Sequence, residues 1–328
     1  MDEATWRQAT RELLRALRAH RSQVAFARWL GFRSNVPAAW EGGHRCPDAV
    51  ELFRVCGRVR VDAGEALRRF HAPAADAVST EEVGSWLQEL RGRTSIADLS
   101  ERSGCSTTQL RRWLGGRARP KVFQFLMVVD ALTGRAPDLV AELVDIEQVS
   151  TLTARYRAGR TQRRLAFEYP WTAAVRVLVE ATRPPVEDAA TRLAMALHQP
   201  VEPIAEALDL LLAHGLLTAT GGRLVATGHM TVDMRATPED RRRFRAHWAH
   251  AAANRVEADV GDLMGFSLLA VSRDDLDRIR QLQRRYFREM RSIVAASQPV
   301  EVAALVVAQV AAFPDPGAIT LPAEVSEE

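Results

Sequence analysis

Twenty-six residues of this chain occur twice, in register and without a gap: SQVAFARWLGFRSNVPAAWEGGHRCP at 22–47 returns as SIADLSERSGCSTTQLRRWLGGRARP at 95–120. Ser22 pairs with Ser95, Gly31 with Gly104, Trp40 with Trp113, Gly43 with Gly116 and Pro47 with Pro120. Self-similarity at a fixed offset limits the fold to repetition of one supersecondary unit. That unit reads as helix, turn, helix. Ser22 and Ser95 can each accept a hydrogen bond from the free N–H groups of a first helix, which runs to Leu30 or Ser103. Gly31 and Gly104 end it, because glycine enters the left-handed conformation of a tight turn without a Cβ penalty. Phe32 or Cys105 then pins the turn to the core. The second helix is expected to open at Ser34 or Ser106. Its apolar positions, Val36 and Trp40 or Leu110 and Trp113, fall three to four apart, so one face is buried and the other exposed.

The similarity continues on both sides, since Leu14 and Leu17 match Leu87 and Leu90, while Val50, Phe53 and Leu67 align with Phe123, Leu126 and Val140. Each copy would therefore hold about four or five helices, enough for a small independent unit. On these residues the chain resembles the lambda-repressor-like (XRE) helix-turn-helix family. The first copy carries the resemblance in Ser22-Gln23, Phe26-Ala27, Leu30-Gly31, Trp40-Glu41, Gly43 and Pro47. The second carries it in Leu99, Gly104, Leu110, Trp113, Gly116 and Pro120 and departs from the family at Ile96 and Leu114. The resemblance implies that the exposed face of each second helix meets the major groove of double-stranded DNA.

In the first copy Gln23 and Arg45 are the candidates for phosphate, with Arg33, Ser34 and Asn35 at the groove edge. Ala38 and Ala39 complete that face and offer only methyl contacts; Pro37 lies in the first turn, where its missing N–H is tolerated. In the second copy Thr107, Thr108, Gln109, Arg111 and Arg112 form a richer polar face, and Arg117 and Arg119 are placed to reach the backbone. A pairing of Arg111 or Arg112 with guanine competes with the plainer reading of two solvated arginines on a helix kept for packing.

Charge is distributed unevenly although the net is only +3. Residues 1–72 hold thirteen arginines against eight acids, residues 73–150 nine cations against eleven acids, and residues 151–165 five arginines against none. Positive charge on the first copy and on the stretch after the second would suit phosphate contact, or be an ordinary solvated face. Cys46, Cys56 and Cys105 form no CxxC, and the repeat aligns Cys56 and Cys105 with Val129 and Phe32, which marks them as small core residues. The opening MDEATWRQATRELL lacks a basic-then-apolar signal pattern and no apolar run approaches a membrane span, so the expected location is the cytoplasm, nucleoid-associated on DNA.

Composition places the boundaries. A first helix-turn-helix domain spans 1–72, the alanine-proline segment 71–80 joins it to a second at 79–148, and an arginine-rich connector follows at 149–167. A third unit, 168–235, reads as helices at 172–182, 186–197 and 202–214, then two short apolar runs about Gly221-Gly222, a hairpin signal. Three helices and a hairpin are the winged-helix pattern. Its third helix carries Glu202, Glu206 and Asp209 and no arginine, which favours packing or protein contact over DNA.

Residues 236–314 read as an α-rich C-terminal domain. Thr237, Pro238 and Glu239-Asp240 open one helix; 265–271 is a short strand candidate; Ser272 caps a long amphipathic helix with Leu276, Ile279, Leu282, Tyr286, Met290 and Ile293 on one stripe. VEVAALVVAQVAAFP, 300–314, is apolar enough to be a buried strand or helix, and 315–328 reads as a disordered tail. The order of these stretches resembles a family of unknown biochemical function fused behind helix-turn-helix domains in bacterial regulators, which implies no catalytic residues.

The chain has no GxSxG, HExxH or Walker glycine loop. His247 and His250 share a helix face, but a zinc site would need Glu257 or His229 as further ligands, and helix surface or interface is the plainer role. No enzyme activity, cofactor or metal is expected. The fold class expected is mainly α: two tandem helix-turn-helix bundles, a winged-helix domain and an α-rich C-terminal domain. The function expected is sequence-specific transcriptional regulation, repressor-like, with double-stranded DNA as partner. The 276–293 stripe allows a homodimer, and the C-terminal region allows a small-molecule or peptide effector. A scaffold that binds protein rather than DNA, and a ligand-responsive regulator, remain alternatives.

Overall fold

The computed structural model describes residues 1–71, 82–92, 94–227, 238–258, 263–265, 267–297 and 299–313. The chain is mainly helical. The first copy comprises α1 (Glu3–Arg18), α2 (Gln23–Trp29), α3 (Val36–Glu41), α4 (Ala49–Arg58) and α5 (Ala63–Phe70); the second comprises α6 (Val83–Arg91), α7 (Ile96–Ser103), α8 (Thr107–Leu114), α9 (Val122–Thr133) and α10 (Ala136–Leu143). Local chemistry sets the starts: the side chains of Ser22, Ser95 and Ser106 accept from the backbone N–H groups of Ala25, Asp98 and Gln109. Gly31 and Gly104 take φ of +85° and +69° in the turns that follow α2 and α7.

One start departs from expectation. The second helix of the first copy opens at Val36, not Ser34, and Asn35 before it makes no side-chain cap. The repeat explains this, because Arg33 stands where Ser106 caps α8, so the first copy lacks the acceptor that would begin the helix two residues earlier.

The two copies are not separate units. One hydrophobic core runs from Trp6 to Leu152 and includes buried side chains of both. Phe53 and Phe125 meet edge to face at 5.7 Å, Trp86 lies 5.8 Å from Phe125, and Phe70 lies 6.2 Å from Trp86. At the seam, Ala49 N donates to Pro120 O and Val122 N to Pro47 O, both at 3.0 Å, around an antiparallel bridge between Asp48 and Lys121. The repeat offset converts each of these bonds into the other, so the seam itself is locally two-fold, although the symmetry does not extend through both copies: α1 packs on α9, whereas α6 makes no comparable contact with α4. α5 packs on its counterpart α10 in the same sense. The two copies thus share one apolar core across an intrachain seam.

The arginine-rich connector is helical. Residues 150–168 form one helix, α11 (Ser150–Glu168), with Leu152 in the shared core and Leu165 in a second core. Glu12 of α1 accepts from Thr151 N at 3.0 Å, which sets a carboxylate at the positive end of α11. The second core is built from α12 (Trp171–Thr182), α13 (Ala189–Leu197), α14 (Val201–Ala213) and the hairpin β1 (Leu217–Thr220) and β2 (Arg223–Ala226). The strands pair Leu217 with Ala226 and Thr220 with Arg223, and Gly221 and Gly222 turn between them with φ of +57° and +73°, as a two-residue hairpin loop demands. Leu224 N donates to Pro184 O and Val186 N to Gly222 O, so the segment before α13 lies against β2.

α15 (Pro238–Glu257) rests on α11 and α12 through Phe167, Trp171, Phe244 and Trp248. α16 (Arg273–Ala296) is capped by Ser272 as expected. The described residues of 265–271, read as a strand, and of 300–314, read as a buried element, lie in neither helix nor strand and are mostly exposed; Phe266 and Pro314 lie outside the described residues. Apolar content alone suggested their burial, and no surface among the described residues receives them. Residues 72–80, Thr237 and 315–328 lie outside the described residues. Among the described residues no helix is long and apolar enough to cross a membrane.

Candidate nucleic-acid interface

α8 is held by its inner face. Leu110 and Trp113 are buried in the shared core, and the reciprocal bonds between Ser106 and Gln109 fix its first turn. The outer face presents Thr108, Gln109, Arg111 and Arg112, with Thr107 half-buried and Arg117 and Arg119 exposed in the segment that follows. Arg111, Arg112, Arg117 and Arg119 make no side-chain hydrogen bond or ion pair with the described residues. Gln109 differs from expectation: its Oε1 accepts from Ser106 N at 3.1 Å, so the side chain is spent on the capping box rather than left to face a base.

In the first copy Arg33, Ser34 and Asn35 are exposed together in the turn before α3, and Ala38 and Ala39 are half-buried beside them. Arg45 is exposed, 3.8 Å from Glu51. Gln23 is not free as expected. Its Nε2 donates to Glu41 Oε2 at 3.0 Å, and Arg18 binds the same carboxylate through Nε at 2.6 Å and an Nη at 3.2 Å. Arg15 adds charge at 3.6 Å. Burial pushes the Glu41 carboxyl up, but the bonds from Arg18 and Gln23 and the charges of Arg18 and Arg15 outweigh it and hold the group below its ordinary 4.5. This network fastens α3 to α1 and α2. Sequence reading missed Arg21, whose guanidinium lies 4.5 Å from the centre of the exposed Trp29 ring beside this turn. An exposed tryptophan paired by the repeat with Arg102 was the available signal.

The arginines of α11 are mostly occupied. Arg155 grips Asp130 with two bonds of 3.0 Å, Arg163 grips Asp138 at 2.8 and 3.0 Å, and Arg157 binds Glu147 at 2.6 Å. Arg155 and Arg163 therefore join α11 to the shared core rather than wait for phosphate. Alanine at both is expected to destabilise the junction by about 2 kcal/mol, since each removes two charge-assisted bonds from a carboxylate that is largely out of solvent, while the salt dependence of any DNA binding stays as it was. Thermal melts and salt titrations of the double variant check both halves; a flattened salt slope would return these arginines to phosphate.

Other candidates resolve plainly. Desolvation, with a smaller push from His250, lowers the His247 pKa, and its ring meets Trp171 and Trp248 edge to face at 4.9 Å from each. No metal-binding group of three His, Cys, Asp or Glu occurs among the described residues, and His229 lies outside them. Burial pushes the Cys56 thiol up to about 12, away from thiolate chemistry. The concavity of about 460 Å³ between α10, α11 and α15 is lined mainly by charged side chains, among them Asp138, Arg160, Arg164 and Arg243, not by the apolar wall expected for an effector.

Residues 160–314 match a family model described as a domain of unknown function (DUF4423). The match spans slightly less than half of the chain, and it begins inside α11 and takes in everything from there to the apolar 300–313 segment. It agrees with the expected resemblance of the C-terminal half to a family of unknown biochemical function. No curated protein and no solved structure matches the chain. The paired repeats therefore lie ahead of the DUF4423 region and share only α11 with it.

Proposed function

We propose that the chain is a sequence-specific DNA-binding transcriptional regulator, non-enzymatic and repressor-like, in which the paired copies are lambda-repressor-like helix-turn-helix units and the DUF4423 region serves assembly or sensing. The observation that carries this reading is the contrast among arginines. Arg18, Arg155 and Arg163, which hold helices together, are each paired with a carboxylate, whereas Arg111, Arg112, Arg117 and Arg119 gather on and just after α8 with no partner among the described residues. Unpaired guanidinium forks on the outer face of a helix whose inner face is locked suit bidentate contact to guanine and charge contact to phosphate. The repeat adds support, because it makes α3 and α8 counterparts in one chain, as the reading helices of a repressor dimer are counterparts in two.

Selection of bound sequences from random double-stranded DNA gives the site; binding by Arg111→Ala and Arg112→Ala variants then tests the residues. Each substitution should weaken specific binding by about 1–3 kcal/mol and relax one base position, whereas Arg117→Ala should weaken all sequences alike and lower the salt slope by about one. Unchanged affinity for both base-reading variants would move recognition to the first copy, and failure to select any sequence would leave the chain a protein-interaction scaffold. For the unit spanning α12 to β2 we propose a winged helix used for packing. Glu202, Glu206 and Asp209 are exposed on α14, where they would repel phosphate.

A further inference from the structure

Resting on the DNA-binding reading above, we propose that the second copy carries the rigid base reader and that Gly84, which itself touches no DNA, positions it. Gly84 is the second residue of α6 and lies against the C-terminal end of α8. A Cβ placed there would fall well inside contact distance of Trp113 O and lie 3.3 Å from Gly116 N and 3.4 Å from Gly116 Cα. All three atoms belong to the backbone, so no side-chain rotation makes room. Trp113 O is also the acceptor for Gly116 N, at 3.0 Å, in the turn that ends α8. Gly116 holds a φ of +69°, and the turn runs on into Arg117, whose backbone N–H donates to Arg112 O at 2.8 Å. One close approach of α6 therefore fixes both the end of the helix that carries Arg111 and Arg112 and the start of the segment that carries Arg117 and Arg119.

The register of the repeat supplies the comparison. At its offset Arg11 of α1 stands where Gly84 does in α6, and Gly43 where Gly116 does. In the first copy the Arg11 guanidinium fills the space over Gly43, with Cζ, Nε and an Nη each 2.7 Å from where a Cβ would sit. The turn after α3 is thus seated on α1 through the far end of a flexible side chain, whereas the turn after α8 is seated on backbone. A long arginine side chain has many rotamers and yields readily, but two backbones in contact do not. The chemistry of the two faces runs the same way. Ala38 and Ala39, beside the yielding seat, offer no hydrogen bond, while Arg111 and Arg112, beside the fixed one, carry planar forks whose bidentate fit to guanine demands a fixed geometry.

Gly84→Ala and Gly57→Ala, each in the full chain, test this. Nothing lies within 4 Å of a Cβ at Gly57 in α4, so alanine, the better helix former, should raise the melting temperature there. At Gly84 the same substitution should lower it and speed amide exchange over 107–117, while α3 exchanges as in the wild type. Affinity for the selected DNA should drop at least about tenfold, the equivalent of one bidentate base contact. Affinity for unrelated DNA and its salt slope should stay unchanged, because every arginine is retained; a merely weakened fold would lower both affinities together. Should Gly84→Ala fail to fold, Arg11→Ala decides: it empties the yielding seat of the first copy, and the ratio of specific to unrelated affinity should hold within about threefold. A ratio that survives Gly84→Ala, a melting temperature raised as at Gly57, or a ratio that collapses in Arg11→Ala overturns the proposal. A wild type that selects no DNA refutes the DNA-binding reading instead; amide exchange then decides on the seat alone, upheld by faster exchange confined to 107–117 and overturned by an α8 that exchanges as before.

Discussion

Replacing Phe125 with alanine is expected to lower stability by about 4 kcal/mol and to loosen both repeats together. Phe125 is fully buried, with the Phe53 ring of the first copy edge-on to it and the Trp86 ring of the second alongside. Truncation leaves a ring-sized void at the seam, and the lost edge-to-face contacts add to the lost burial. Because one core spans both copies, amide protection should fall in α2 as well as in α7, under a single denaturant transition. Protection lost in α7 alone, with α2 unaffected, would show that each copy is stable by itself and that the seam is incidental.

The second large effect belongs to Glu41. Glu41→Gln should cost about 3 kcal/mol, since Arg18, itself largely buried, would keep its charge without a carboxylate beside it. The sign of the pH dependence follows from the depressed carboxyl. Its contribution is fully present above the unfolded value of 4.5 and is lost as pH falls through the lower folded value, where the carboxyl takes a proton. Melting temperatures of wild type and variant should therefore differ most near neutrality and converge in acid. Parallel curves would mean that the network contributes packing rather than charge. The amide oxygen of the new glutamine can still accept from Gln23 Nε2, so the loss falls on the charged bonds from Arg18.

Much of the local structure could be read from residues. Serine caps at 22, 95 and 106, the turn glycines at 31 and 104, and the hairpin about Gly221-Gly222 each act within a few residues of themselves, and the structure has them as expected. The late start of α3 was legible as well, had Arg33 been compared with Ser106 in the register the repeat prescribes. Pairing at longer range was not. Phe53, Trp86 and Phe125 look the same whether they fill one small core or join two, and the acids that hold Arg155 and Arg163 lie twenty-five residues before each of them. The 300–313 segment misled for the opposite reason: its composition states that it needs cover and is silent on where that cover comes from.

If the two copies read DNA as proposed, the reciprocal bonds between Pro47-Asp48-Ala49 and Pro120-Lys121-Val122 have a consequence for gene dosage. Two readers that must find each other in solution occupy a site with a steepness set by how much protein the cell holds. Two readers fixed in one polypeptide arrive together at any abundance, since the second contact is made at an effective concentration fixed by the fold. They are also released from likeness: Arg111 and Arg112 can diverge from Ala38 and Ala39, their counterparts in the first copy, with no penalty to a matching partner. On the proposed reading, a target for this chain has a left and a right end, and the protein sits on it in one orientation only.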